Sequence, residues 1–111
     1  MHIVVATTRG GLDDFVSQHF GRAQTFTVVD VDESGNITDV RVVPNPAHSA
    51  PRAAGIQAAQ FCIDNGANAV IAGTFGPNAS QVLQTAGIKF ISVPPMMTVE
   101  QAIKTFLHEE L

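Results

Sequence analysis

Gln18-His19-Phe20-Gly21-Arg22-Ala23 sets an imidazole, an aromatic ring, a glycine and a guanidinium side by side. A histidine can ligate a soft or borderline metal or change protonation near neutral pH. An arginine offers a permanently charged fork to an anion, and a glycine lets the backbone turn or approach a ligand closely. On residue types alone the stretch reads equally well as a turn with a buried Phe and two surface side chains. The surrounding elements decide between the two.

Three loops bear on that decision, because open α/β sheets bind ligands beyond the carboxyl ends of their parallel strands. They are Thr8-Arg9-Gly10-Gly11, Gly73-Thr74-Phe75-Gly76-Pro77-Asn78 and Pro94-Pro95-Met96-Met97. Two are glycine-rich, and the second leads into a helix start whose N–H groups and dipole favour an anion. His48 follows the Pro44-Asn45-Pro46 stop, and Met96 and Met97 add polarisable thioethers that suit soft metals. With Arg9, Arg22 and Arg52 these residues sketch a positively charged cup with apolar walls and few ligands. Such a cup suits a bulky anionic inorganic cluster better than a naked divalent ion, which wants more carboxylates or imidazoles.

Other chemistries lack their residues. There is no G-x-x-x-x-G-K-[ST], and Gly73-x-x-Gly76 is not a dinucleotide fingerprint. The first predicted strand carries no carboxylate for two-metal hydrolysis; Asp13 and Asp14 lie beyond its end. Ser17 near His19 is not a triad, and Cys62, the single cysteine, falls on an apolar helix face. His2 and His108 read as structural. With a net charge of -4 and no Lys/Arg cluster, neither nucleic acid nor an anionic membrane is the expected partner.

The elements that must position the cup follow from periodicity. His2–Thr7 is a near-continuous apolar run, suited to a central strand. Thr25–Asp32 and Ile37–Val43 form a hairpin, with Phe26 and Val28 on one face and Val29 and Val31 on the other. Helices are expected from Pro51 to about Asn65, from Pro77 with a core stripe of Val82, Leu83 and Ala86, and from a Thr98/Gln101 capping box onward. The Pro51 helix is apolar over more than one stripe, which predicts that it is well covered. Ala69–Ala72 and Ile88–Val93 are the remaining strands. The β-β-β-α-β-α-β-α order predicts one α/β domain over residues 1–111, a mixed five-stranded sheet of ribonuclease-H-like type with helices on both faces. The absence of a signal-like start or a long apolar run leads to the expectation of a soluble cytoplasmic protein.

His19-Phe20-Gly21-Arg22-Ala23, Phe26-x-Val28-Val29-Asp30-Val31, Asn45-Pro46, Gly73-x-x-Gly76-Pro77-Asn78-Ala79, Ala86-Gly87-Ile88 and Thr98-Val99-Glu100-Gln101-Ala102-Ile103 occur here in one order. Together they resemble the dinitrogenase iron–molybdenum cofactor biosynthesis family over nearly the whole chain. The resemblance implies a ribonuclease-H-like fold without nuclease activity, and non-enzymatic binding or carriage of a metal–sulfur cluster of Fe/Mo/S or mixed Mo/Cu/S type. It places the family's cluster-binding histidine on His19. The expected site is Arg9, Gly10, Gly11, His19, Phe20, Arg22, Asn45, His48, Gly73, Thr74, Gly76, Met96 and Met97, with His19 and His48 as metal ligands. The expected partners are the cluster and a protein that donates or accepts it. The competing reading is a regulatory or scaffold domain that works through a protein interface and holds no cluster.

Overall fold

The computed structural model of the chain describes residues 1–110; Leu111, the last residue of the expected domain, lies outside them. The elements are β1 (His2–Thr7), β2 (Thr25–Val31), β3 (Ile37–Pro44), α1 (Ala54–Asp64), β4 (Ala69–Ala72), α2 (Pro77–Thr85), β5 (Lys89–Ser92) and α3 (Val99–Glu110). They form one five-stranded sheet in the order β3-β2-β1-β4-β5. β1 is central, antiparallel to β2 and parallel to β4, while β4 runs parallel to β5. This is the ribonuclease-H-like arrangement that the element order predicts.

Strand alternation divides the core into two layers. Val4, Ala6, Phe26, Val28 and Val70 face α1 and α2 and pack on Ala58, Ala59, Cys62, Ala79 and Leu83. Ile3, Val5, Val29, Val31 and Ile71 face α3 and meet Val99, Ala102, Ile103 and Phe106. The period of two in the strands thus meets the period of 3.6 in the helices on each side. All five β1 side chains after His2 are buried, as a strand covered on both faces requires.

Three expectations need correction. α1 begins at Ala54 rather than Pro51, because the chain from Asn45 to Ala53 is held as a loop. Asn45 Oδ1 accepts the Ala47 N–H at 2.9 Å, and the Arg22 guanidinium donates to the His48 and Ala50 carbonyls. Ala53 then enters the helix from the left-handed region, at φ 56°. Second, α1 is not covered all round, since Ile56 is 40% exposed. Third, Ala86 is exposed, and Ala79 with Leu83 forms the buried stripe of α2.

All three helices start at the end of the sheet where β1, β4 and β5 finish. Only α3 is capped by side chains. Thr98 Oγ1 accepts the Gln101 N–H at 3.2 Å and Gln101 Oε1 accepts the Thr98 N–H at 3.0 Å, which completes the predicted capping box. Thr98→Ala is expected to lower stability by about 1 kcal/mol. Urea unfolding should show a lower midpoint with an unchanged slope.

Candidate functional site

Residues 14–20 lie as a strap across the carboxyl ends of the parallel strands. Ser17 N–H donates to the Ala6 carbonyl of β1 at 2.7 Å, and Val16 N–H to the Met97 carbonyl beyond β5 at 2.9 Å. Gly73 N–H donates to the Ser17 carbonyl at 2.9 Å, Phe20 N–H to the Thr74 carbonyl at 3.2 Å, and Thr74 Oγ1 to the Gln18 carbonyl at 2.6 Å. His19 and Thr74 are bridge partners in parallel register. Gly73 is required where it stands, since a Cβ there would lie 2.6 Å from Gln18 Cα. His19 is thereby fixed by backbone ties to the Gly73–Thr74 turn beyond β4, and it is exposed.

The residues after His19 anchor it. Phe20 is buried, its ring 5.6 Å from Phe26 and 5.0 Å from Phe75. Gly21 passes so close to α1 that a Cβ would sit 2.8 Å from the Gly55 nitrogen, a contact no other residue permits. Asn45 is buried and spends its amide on the Gly21 and Ala23 carbonyls, at 3.2 and 2.8 Å. His48 Nδ1 lies 3.1 Å from the Arg22 carbonyl oxygen. Asn45 and His48 therefore brace the turn that carries His19 and Arg22.

The result is a groove of about 330 Å³ lined by His19, Phe20, Gly21, Arg22, Ala54, Gly55, Thr74 and Gly76. Ala54 and Gly55 open α1, and Gly76 is the N-cap of α2, followed by Pro77. Neither helix has a side-chain cap hydrogen bond or an acidic residue in its first turn. The first-turn N–H groups of a helix have no intrahelical partner, and they carry the positive end of its dipole. Two such ends beside one imidazole and one guanidinium make an anion-favouring groove. Among the described residues no three His, Cys, Asp or Glu side chains gather to hold a metal ion. Cys62 is buried on the inner face of α1, where loss of solvation pushes its thiol pKa up to about 12.

The other expected residues sort by location. Thr74 and Gly76 join His19, Phe20 and Arg22 in the groove, and Gly73 backs it. His48 and Asn45 stand behind the turn rather than in the lining. Met96 and Met97 line a separate groove of about 470 Å³ with Pro94, Pro95, Gln101, Lys104 and Thr105. Met96 holds a left-handed φ of 68° and is 72% exposed. Arg9 is exposed on its loop. That loop's donors are already engaged: Thr8, Arg9 and Gly10 N–H groups all point to Asp14 Oδ2 at 2.9–3.0 Å, and Gly11 N–H to Thr27 Oγ1 at 3.0 Å. Asp14 acts as the loop's built-in anion.

Sequence reasoning did not assign Asp14, Ala54 or Gly55 to this region. A carboxylate three residues after a glycine-rich donor loop was the available signal for Asp14. Ala54 and Gly55 were hidden by the apparent helix start at Pro51.

The fold and groove define a small α/β domain that opens a groove at the carboxyl edge of its sheet, beside the first turns of α1 and α2. Residues 1–109 match the sequence model of the dinitrogenase iron-molybdenum cofactor family, and the chain belongs to that family. Among solved structures it is similar to the orange protein of Desulfovibrio gigas in its apo form. The two are 38% identical over 98% of this chain and 88% of that chain, with a TM-score of 0.86. A Thermotoga protein described as NifB-like is 32% identical over 96% of this chain and 87% of its own, with a TM-score of 0.76. No curated protein matches the chain. No helix among the described residues is long and apolar enough to cross a membrane.

Asp14 gives a test of the strap. Burial raises its carboxyl pKa, but the N–H groups of Gly10, Thr8, Arg9 and Phe15 outweigh that and hold it below the ordinary 3.8. A depressed pKa in the folded state means stability that is fully present above about pH 4 and lost as pH falls through the folded value. Asp14→Asn is expected to be less stable than wild type at pH 7, with the gap narrowing below about pH 4. Urea midpoints at several pH values measure this.

Proposed function

We propose that this protein is a cytoplasmic, non-enzymatic carrier of an anionic metal–sulfur cluster, of Fe/Mo/S or mixed Mo/Cu/S type, held in the His19–Arg22 groove. The observation that carries the reading is the convergence of two uncapped helix N-termini on a groove that also contains an exposed imidazole and a guanidinium. A sulfide-rich cluster is large, negative and an acceptor of weak hydrogen bonds from N–H groups. The free N–H groups of α1 and α2 would meet its sulfides, and Arg22 would offset its charge. His19, exposed and with no side-chain hydrogen bond among the described residues, is the one residue of the lining that would ligate a metal.

The donor set fits such a cargo and not a resident divalent ion, because the lining offers no carboxylate or thiolate. It also offers no second titratable side chain to act as acid–base partner to His19, which supports carriage rather than turnover. Family membership and the likeness to the orange protein support the same class of ligand. A protein that delivers or receives the cluster would approach this end of the molecule. Phe15 and Met96, 46% and 72% exposed, are the apolar side chains it would meet on the strap and the neighbouring loop.

The reading is tested by anaerobic reconstitution with tetrathiomolybdate and Cu(I), and separately with an iron–sulfur–molybdenum precursor. Binding is followed by absorption, gel filtration and metal analysis. Wild type is expected to retain a chromophore, and His19→Ala to bind it roughly tenfold or more weakly, about 1.4 kcal/mol.

Gly76→Asp separates anion binding from folding. A Cβ at Gly76 enters open space, and its backbone at φ -69° and ψ 162° suits an N-cap aspartate. The variant is expected to equal or exceed wild type in thermal stability while losing cluster affinity, because its carboxylate takes the α2 N–H groups. Unchanged binding by both variants, or no uptake by wild type of any cluster offered, would remove the proposal.

A further inference from the structure

β3 forms one edge of the sheet, and over Thr38–Val42 it exposes Thr38, Asp39, Arg41 and Val42. Edge strands present unpaired backbone groups and are usually blunted by shortness, proline, bulges or charged side chains. β5, the other edge, is short at four residues. β3 has eight residues, with a bulge at Thr38 and Pro44 at its end, and the regular stretch between them carries charges of opposite sign. Asp39 and Arg41 share one face, with Arg41 Nε 3.4 Å from Asp39 Oδ2 and the side chains 53% and 56% exposed.

We infer that β3 is a self-complementary edge and that its partner is a second copy of this chain. An antiparallel pairing of two β3 strands about a two-fold axis at Val40 sets Asp39 of each copy opposite Arg41 of the other. It sets Val40 against Val40 on the opposite face. Shifting the axis to Asp39 or to Arg41 puts like charges directly opposite, which is destabilising. The pattern therefore selects both partner and register, as an isologous two-fold interface requires.

A second feature points the same way. Inside the sheet Asp39 stands opposite Asp30, a like-charge cross-strand pair, while His2 stands on the far side of Asp30 and bonds its carboxylate. Asp30 thus has the His2 ring as its partner, and among the described residues Asp39 has the exposed Arg41 beside it. An arginine arriving from a second copy completes the row. Five paired residues a side bury less than the roughly 1,200 Å² of a standard interface. The dimer is accordingly weak and concentration-dependent, with a dissociation constant on the order of 0.1 mM or weaker. This inference is independent of the groove, which lies at another part of the surface.

Sedimentation velocity from about 10 μM to 1 mM is the direct measurement, with amide hydrogen exchange to locate the contact. Self-association is expected, with protection of residues 38–42 rising with concentration. Asp39→Arg and Arg41→Asp are each expected to weaken the dimer roughly tenfold, because two like-charge pairs form per interface. The double variant carrying both changes restores the opposite-charge pairing and should return to within about twofold of wild type. Both positions are exposed, and circular dichroism checks that each variant folds. A strict monomer at 1 mM, insensitivity to the single reversals, or a double variant as weak as the singles would overturn the inference.

Discussion

The strap of residues 14–20 is the constraint on which the site depends. A carboxyl edge of parallel strands ends in carbonyl and N–H groups that need partners once the strands diverge. Here residues 16–20 supply them for β1 and for the loops beyond β4 and β5 in one continuous run. Asp14 fixes where the run begins by gathering four backbone N–H groups on its carboxylate. Phe20 fixes where it ends by burying its ring between Phe26 and Phe75. His19 sits one residue before that anchor, so its position follows from the sheet rather than from contacts of its own ring.

The same constraint explains why small residues crowd this corner. The strap can reach α1 only because Gly21 and Gly55 let two backbones meet, and Gly55 in turn allows Ala79 of α2 to approach. Close approach brings the starts of two helices to one groove. A serine or aspartate cap on either helix would occupy N–H groups that here remain open. The third helix makes the contrast: α3 starts at the same end of the sheet and is fully capped by Thr98 and Gln101.

Much of the fold was legible in the sequence because it rests on local periodicity. β1, β4 and the start of α2 stand where alternation, apolar runs and Pro77 place them, and the two faces of β2 divide as their spacing requires. What was not legible depends on contacts distant in sequence. Pro51 resembles a first-turn proline, yet Arg22 and Asn45, more than twenty residues away or at the far side of the loop, keep that segment out of the helix. The Arg9-Gly10-Gly11 loop reads as an anion cradle until Asp14 is seen to fill it. The opposite error hides Ala54 and Gly55, whose N–H groups become part of the groove only after the loop length is known. Residue types pointed to two donor-rich turns at this sheet edge; only the fold tells that Asp14 occupies the N–H groups of the first.

A net charge of -4 runs against the proposed anionic cargo, and the distribution of that charge bears on the conflict. Asp32 and Glu33 occupy the β2–β3 turn, and Asp64 and Glu109 sit at the ends of α1 and α3 remote from the groove. β1, at six residues and roughly 3.3 Å per residue, spans about 20 Å between the two ends of the sheet. The Debye length at physiological ionic strength is about 8 Å, so those carboxylates are largely screened from the groove. Arg22 and the first-turn N–H groups act from within it, and Arg9 and Arg52 stand on loops at the same end. The field at the groove is therefore a balance between these local donors and the carboxylates of Asp13, Asp14 and Glu100 at the same end of the sheet, while the remoter acidic surface is screened.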